Sequence, residues 1–83
     1  MEYEIILNTI EKVKKFVSVI DKFENDIDIV SGRYIVNGHS IMALFSLDLM
    51  NSLRVIIHGA NEGEIEKFEE VMEEFRADES NSK

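Results

Sequence analysis

Residues 40–47 read Ser-Ile-Met-Ala-Leu-Phe-Ser-Leu, and they form the most informative segment of this 83-residue chain. Serine is a strong helix N-cap, because its hydroxyl accepts a hydrogen bond from a free backbone N–H of the first turn. Apolar side chains then recur at helical spacing. They are Ile41, Met42, Leu44, Phe45 and Leu49. The segment therefore predicts a short, unusually apolar helix over residues 41–49, with Ser40 as its cap.

Strand patterns lie on both sides of this helix. Residues 26–30 and 33–37 are alternating, β-branched runs separated by Ser31 and Gly32, which predicts a hairpin with Gly32 at positive φ. Residues 53–58 also alternate and predict a further strand. One face of that strand carries Leu53, Val55 and Ile57, and the other carries Arg54, Ile56 and His58.

The two ends of the chain complete the pattern. Residues 2–8 alternate as a strand, and a helix follows with either Asn8 or Thr9 as its cap. The last helix begins after Asn61, where Glu64 would complete a capping box. Both helices carry matching apolar stripes: Ile10, Val13, Phe16, Val17 and Ile20 in the first, and Ile65, Phe68, Val71, Met72 and Phe75 in the last.

The order β-α-β-β-α-β-α predicts an α+β fold, an open-faced β-sandwich in which three helices cover one face of a four-stranded antiparallel sheet. A chain this short can build only one core, so we expect a single domain over residues 1–77 and a disordered tail over residues 78–83. If Tyr3, Ile5 and Leu7 face the helices, then other apolar side chains fall on the open face. They are Ile6, Ile35 and Ile56.

Composition narrows the possible functions. The formal net charge is −8, whereas nucleic-acid binding depends on basic groups, so we expect no DNA or RNA partner. Nine of the seventeen acidic residues lie between Glu62 and Glu79, as a solvated helix face or a surface for a basic partner. There is no cysteine, no apolar run of membrane-spanning length and no signal-peptide pattern at the start. We expect a soluble cytoplasmic protein.

The order of elements and the segment at residues 40–47 resemble the HPr family, the histidine-containing phosphocarrier proteins of the bacterial sugar phosphotransferase system. The family signature reads Lys-Ser-Ile-Met-Gly-Val-Met-Ser-Leu, and Ser40 matches its first serine. Upstream, residues 21–27 resemble the family's Ser-Lys-Tyr-Asp-Ala-Asp-Val and align with the signature without a gap. The resemblance covers roughly residues 2–75.

The resemblance implies a regulatory site and a docking surface. In Gram-positive members the matching serine is phosphorylated by HPr serine kinase, so Ser40 is a phosphorylation candidate as well as a simple cap. Met42 and Phe45 match positions through which the family contacts partners, although core packing is the alternative for both. With their neighbours His39, which replaces a family lysine, and Ile41, they are the partner-binding candidates.

The phosphocarrier site of the family is not matched. The family reads Gly-Ile-His-Ala-Arg-Pro-Ala at the start of the first helix, and the gapless alignment places Thr9 at the histidine and Glu11 at the arginine. A phosphoimidazole has a labile P–N bond, whereas a threonine phosphate is a stable ester, so Thr9 cannot replace the carrier. The first histidine in the chain is His39. The resemblance is therefore to a divergent member that has lost this chemistry.

Two functions remain open at this stage. The first is a regulatory or adaptor relative of HPr that binds a protein through the second helix, and the second is a structural module that forms a homodimer through the open sheet face. We expect no enzyme, cofactor or metal site. His39 and His58 lack the spacing of a chelating pair, and the paired acids at residues 69–70 and 73–74 belong to an exposed helix.

Overall fold

The structure is a computed structural model that describes residues 2–76. The predicted tail at residues 78–83 lies outside this range. The strands are β1 (Glu2–Ile5), β2 (Ile27–Ser31), β3 (Tyr34–Asn37) and β4 (Leu53–Ile57). The helices are α1 (Ile10–Ile20), α2 (Ile41–Phe45) and α3 (Glu62–Met72), and a 3-10 turn (Glu73–Phe75) follows α3.

The strands form one antiparallel sheet in the order β1-β4-β2-β3. The predicted α+β fold with a four-stranded open sheet and three helices is confirmed. The last turn returns to the sheet, where the amide of Ile6 donates a 2.8 Å hydrogen bond to the carbonyl of Phe75. Ile5 and Arg76 form an isolated bridge beside it, so the end of the described chain is tied to β1.

One face of the sheet packs against the helices and forms the core. The register aligns Ile29 with Val55 and Ile5 with Leu53, so neighbouring strands send apolar side chains to the same side. The buried helical side chains of this core are Val13, Phe16, Ile20, Leu44, Phe68 and Met72. Aromatic contacts join the elements: Phe16 packs edge-on against Phe75, and Phe23 packs edge-on against Phe68.

The opposite face of the sheet is open, as expected from the alternation. Ile35 lies opposite Val30, and Ile56 lies opposite Asp28 in the register. Ile35 is 65% exposed. Val30 is buried, although it does not belong to the core cluster.

Several predicted boundaries were wrong, each for a local reason. The hairpin turn is Gly32-Arg33 rather than Ser31-Gly32, because Ser31 pairs with Tyr34 as the last rung of the ladder. Gly32 has a φ of 61° as predicted, and it occupies the first central position of the turn. The first strand ends at Ile5 rather than Asn8.

The second helix ends at Phe45, four residues before the predicted end at Leu49. Ser46 causes this early stop, because its hydroxyl donates to the carbonyl of Ala43 at 2.6 Å and its amide donates to the same oxygen at 3.1 Å. Leu47 and Leu49 still pack partly against the core from the loop that follows.

The caps of the longer helices are settled by the structure. Thr9, not Asn8, caps α1, because its Oγ1 accepts a hydrogen bond from the amide of Lys12. The capping box of α3 is present, with Asn61 and Glu64 exchanging hydrogen bonds of 2.8 and 3.0 Å. Ile10 was wrongly placed in the core stripe: it is 63% exposed, and burial along α1 begins only at Val13.

We expect Leu44→Ala to lower the free energy of unfolding by about 2–5 kcal/mol, because it leaves a cavity where the one fully buried side chain of α2 meets the core. Met42→Ala in the same helix removes a side chain that is exposed, and it should change stability by less than about 0.5 kcal/mol. Urea unfolding of the two variants measures the difference. Equal effects would show that α2 is not anchored through Leu44.

Candidate functional site

The chain enters α2 through a close contact with β2. The amide of Gly38 donates a 2.7 Å hydrogen bond to the carbonyl of Ile27. A Cβ atom at position 38 would lie only 3.0 Å from Cγ2 of Ile27, so a side chain does not fit without movement. One residue further on, the amide of Ser40 donates to the carbonyl of Asn37 at 3.1 Å. These contacts fix where α2 begins.

Ser40 occupies the predicted N-cap position. Its Oγ accepts a 3.2 Å hydrogen bond from the amide of Ala43, and its side chain is half-buried. The hydroxyl therefore already has a structural role, which accounts for a serine at this position without any modification.

His39 is held on several sides. Its Nδ1 lies 3.2 Å from a carboxylate oxygen of Asp21, the residue that ends α1, and its Nε2 lies 3.1 Å from the carbonyl of Asn25. Its backbone amide donates to the side-chain oxygen of Asn37 at 2.8 Å. The ring thus joins the start of α2 to the end of α1 and to the loop that follows it.

The four predicted docking residues are not equally accessible. Met42 is 76% exposed and Phe45 is 40% exposed, whereas Ile41 and His39 are half-buried. Ile41 packs partly against the core. The exposed apolar surface of α2 therefore consists mainly of Met42 and Phe45.

Sequence reasoning missed one exposed apolar residue near this helix. Met50 is 79% exposed in the loop that leads to β4. The loop is shaped by Asp48, whose carboxylate accepts hydrogen bonds from the amide of Met50 and from the side chain of Asn51. This aspartate three residues before an asparagine is a turn signal that could have predicted an exposed turn over residues 48–51.

Thr9 aligns with the active-site histidine of the HPr family. It lies far from His39 and His58, the two histidines of this chain. It caps the N-terminal end of α1, and Glu11 is exposed in the first turn. His39 contacts Asp21 at the other end of this helix, whose eleven residues span about 16 Å. His58 is tied to that same distant end, because Asn25 donates to its carbonyl. Neither imidazole is placed to substitute at Thr9.

Other ionisable groups form isolated pairs. His58 lies 2.9 Å from a carboxylate oxygen of Asp28. Burial raises the pKa of the Tyr3 hydroxyl, and its hydrogen bond to Glu73 raises it further. Within residues 2–76 no group of three or more potential ligands is arranged to hold a metal ion. None of the helices in this range is long and apolar enough to span a bilayer.

Comparisons with known proteins find similarity among solved structures. Neither the protein-family models nor the curated proteins contain a match to this chain. Among solved structures, the chain is similar to the crystal structure of HPr-C-His from Thermoanaerobacter tengcongensis, with a TM-score of 0.68 and 26% sequence identity. The match covers 81% of this chain and 83% of that chain. The chain therefore has an HPr-like fold.

Proposed function

We propose that this protein is a regulatory or adaptor relative of HPr, related to the bacterial sugar phosphotransferase system, that binds a protein partner through α2. The observation that carries the proposal is the exposure of Met42 and Phe45 on a helix whose Leu44 is fully buried. Soft and aromatic side chains of this kind are common in protein interfaces. By the resemblance, Met42 and Phe45 align with positions through which members of the HPr family contact their partners.

The packing of α2 supports its use as a docking helix. Leu44 anchors one side in the core, and Ile41 packs partly against the same core. The Ser40 cap and the Gly38 contact fix the start of the helix. A helix held in this way presents its outer side chains with little ordering left to do, which lowers the entropic cost of binding.

Ser40 is the proposed regulatory site. Phosphorylation would add a charge of about −2 next to the docking pair, and such a charge can disrupt an apolar interface or create a new one with basic groups. HPr serine kinase is the proposed modifying enzyme, since Ser40 matches the serine that it modifies in the family. The neighbouring His39 and Ile41 would border the same surface.

The proposed role does not include phosphate transport on histidine. Thr9 stands at the family's histidine position, and Glu11 would repel a phosphoryl group at the position of the family's arginine. The two histidines of the chain lie near the C-terminal end of α1, where His39 contacts Asp21 and the carbonyl of His58 accepts from Asn25. The role requires no catalytic step and no cofactor, and it would be carried out in the bacterial cytoplasm.

We predict that incubation with HPr serine kinase and ATP adds one phosphate, and that the phosphate is on Ser40. Intact-mass and peptide mass spectrometry measure it. Ser40→Ala should remain unmodified. Phe45→Ala should lower the rate of modification at least severalfold if the kinase docks on α2, whereas Ile35→Ala, an exposed residue on the opposite face of the sheet, should leave the rate unchanged.

Each outcome of this experiment bears on a different claim. An unmodified wild-type chain would remove the Ser40 switch. Equal rates for the Phe45 and Ile35 variants would show that the kinase does not use the exposed side of α2.

We also predict that no acid-labile phosphate forms when the protein is mixed with labelled phosphoenolpyruvate and the first enzyme of the phosphotransferase system. The reason is that no imidazole lies at the start of α1. Filter binding before and after acid treatment measures the label, with a histidine-containing HPr as positive control. Acid-labile label on this chain would overturn the loss of phosphocarrier chemistry.

A second function is favoured by a different observation, the exposure of Ile35 beside Val30 on the open sheet face. In this alternative the protein is a structural module that forms a homodimer through that face and has no signalling role. The β1–β4 half of the face carries a charged pair, with Arg54 donating to Glu2 at 2.7 Å, and Ile56 on this half is only half-buried. The most exposed apolar side chain of the face is therefore Ile35 on β3.

If the open face forms the dimer, light scattering at micromolar concentration should give twice the mass of the chain, and Ile35→Lys should restore the monomer. Met42→Lys, an equally exposed change on α2, should leave the dimer intact. A monomeric wild-type protein would eliminate this alternative.

A further inference from the structure

The contacts of His39 require more donors than a neutral ring has. Nδ1 faces a carboxylate oxygen of Asp21 at 3.2 Å, and Nε2 faces the carbonyl oxygen of Asn25 at 3.1 Å. Both partners accept hydrogen bonds and neither can donate one at these atoms. A neutral imidazole carries a proton on only one ring nitrogen, whereas the imidazolium ion carries one on each. Only the charged ring satisfies both contacts.

The geometry points to His39 as a proton-dependent clamp that holds the start of α2 against the end of α1. When the ring is protonated, it donates to Asp21 and Asn25 together. When the ring loses a proton, one ring nitrogen becomes an acceptor and faces another acceptor. That hydrogen bond is then lost, and the contact opens. The inference goes beyond the proposed function, because it concerns how α2 is held rather than what binds to it.

The structure also indicates which contact opens. Asn25 is fixed by its own side chain, which donates to the carbonyl of His58 at 3.1 Å and approaches a carboxylate oxygen of Glu64 on α3 at 3.5 Å. Asp21, in contrast, has a side chain that is largely exposed and can rotate into water. The neutral ring is therefore expected to keep its proton on Nε2 and to release Asp21.

The charged surroundings of the ring are few. Among residues 2–76, Asp21 is the one charged side chain in hydrogen-bond contact with His39, and Glu64 is the next charged group along the network, reached through Asn25. The remaining neighbour, Asn37, is neutral and holds the backbone amide of His39 rather than the ring. The proton on the ring, rather than a rearrangement of several charges, thus controls the contact between His39 and Asp21.

NMR of the full chain tests the clamp directly. Ring nitrogen and backbone amide resonances are followed from about pH 5 to about pH 8, the range in which histidine changes charge. Both ring N–H groups of His39 should be present at the acid end. At the basic end the Nε2–H form should remain, and the amides of Asp21 and of residues 40–43 should shift with the same midpoint as the ring.

The variants separate this clamp from other sources of pH dependence. His39→Gln should abolish the shared titration at Asp21 and residues 40–43, and Asp21→Asn, a change at an exposed side chain, should abolish the shift at residue 21 while the fold is retained. His58→Gln should leave the titration unchanged, because that ring contacts Asp28 instead.

Two results would overturn the inference: a neutral His39 with its proton on Nδ1, or amides at residues 40–43 that titrate equally in the His39→Gln variant. Neither result depends on Ser40 phosphorylation or on a docking partner. If the clamp is present and α2 is also the docking helix, partner binding should change with the same midpoint as the ring. That last consequence rests on the proposed function.

Discussion

The packing of Phe16 against Phe75 joins the first helix to the end of the described chain, with ring centroids 5.5 Å apart and planes at 86°. This contact closes the core over one face of the sheet, and the hydrogen bond from Ile6 to the carbonyl of Phe75 ties the same turn to β1. A chain of 83 residues buries a smaller fraction of its surface on folding than a large domain does, so each core contact contributes a large share of its stability. Because α2 has only five residues, it reaches the core with only Leu44 fully buried.

Alternation and helical spacing were enough to predict the order of elements, because the side chains that face the core recur with the period of each element. The ends of elements depend on single side chains that periodicity does not register. Ser46 stopped α2 by bonding to the carbonyl of Ala43, and Ser31 joined the ladder instead of the turn. Ile10 continued the apolar stripe of α1 and yet lies exposed, because burial also depends on what packs against the first turn.

The candidate site shows the same division between local and tertiary information. The Ser40 cap was predictable from local sequence, and the structure contains the hydrogen bond to Ala43. The network around His39 was not, because Asp21 and Asn25 are distant in sequence and meet the ring only after α1 packs beside α2. The same folding places both histidines away from Thr9, so the HPr-like fold is kept while the proposed role moves from the start of α1 to α2.

In the proposed role, the outer side of α2 is the surface through which this protein binds a partner. The most direct measurement is an NMR titration of the isotope-labelled chain with unlabelled HPr serine kinase, read as a map of perturbed amides and methyl groups. Changes should centre on Met42 and Phe45, with none at Ile35 or Ile56 on the open face. Perturbations centred on the open face, or no perturbation at saturating kinase, would contradict the proposed role.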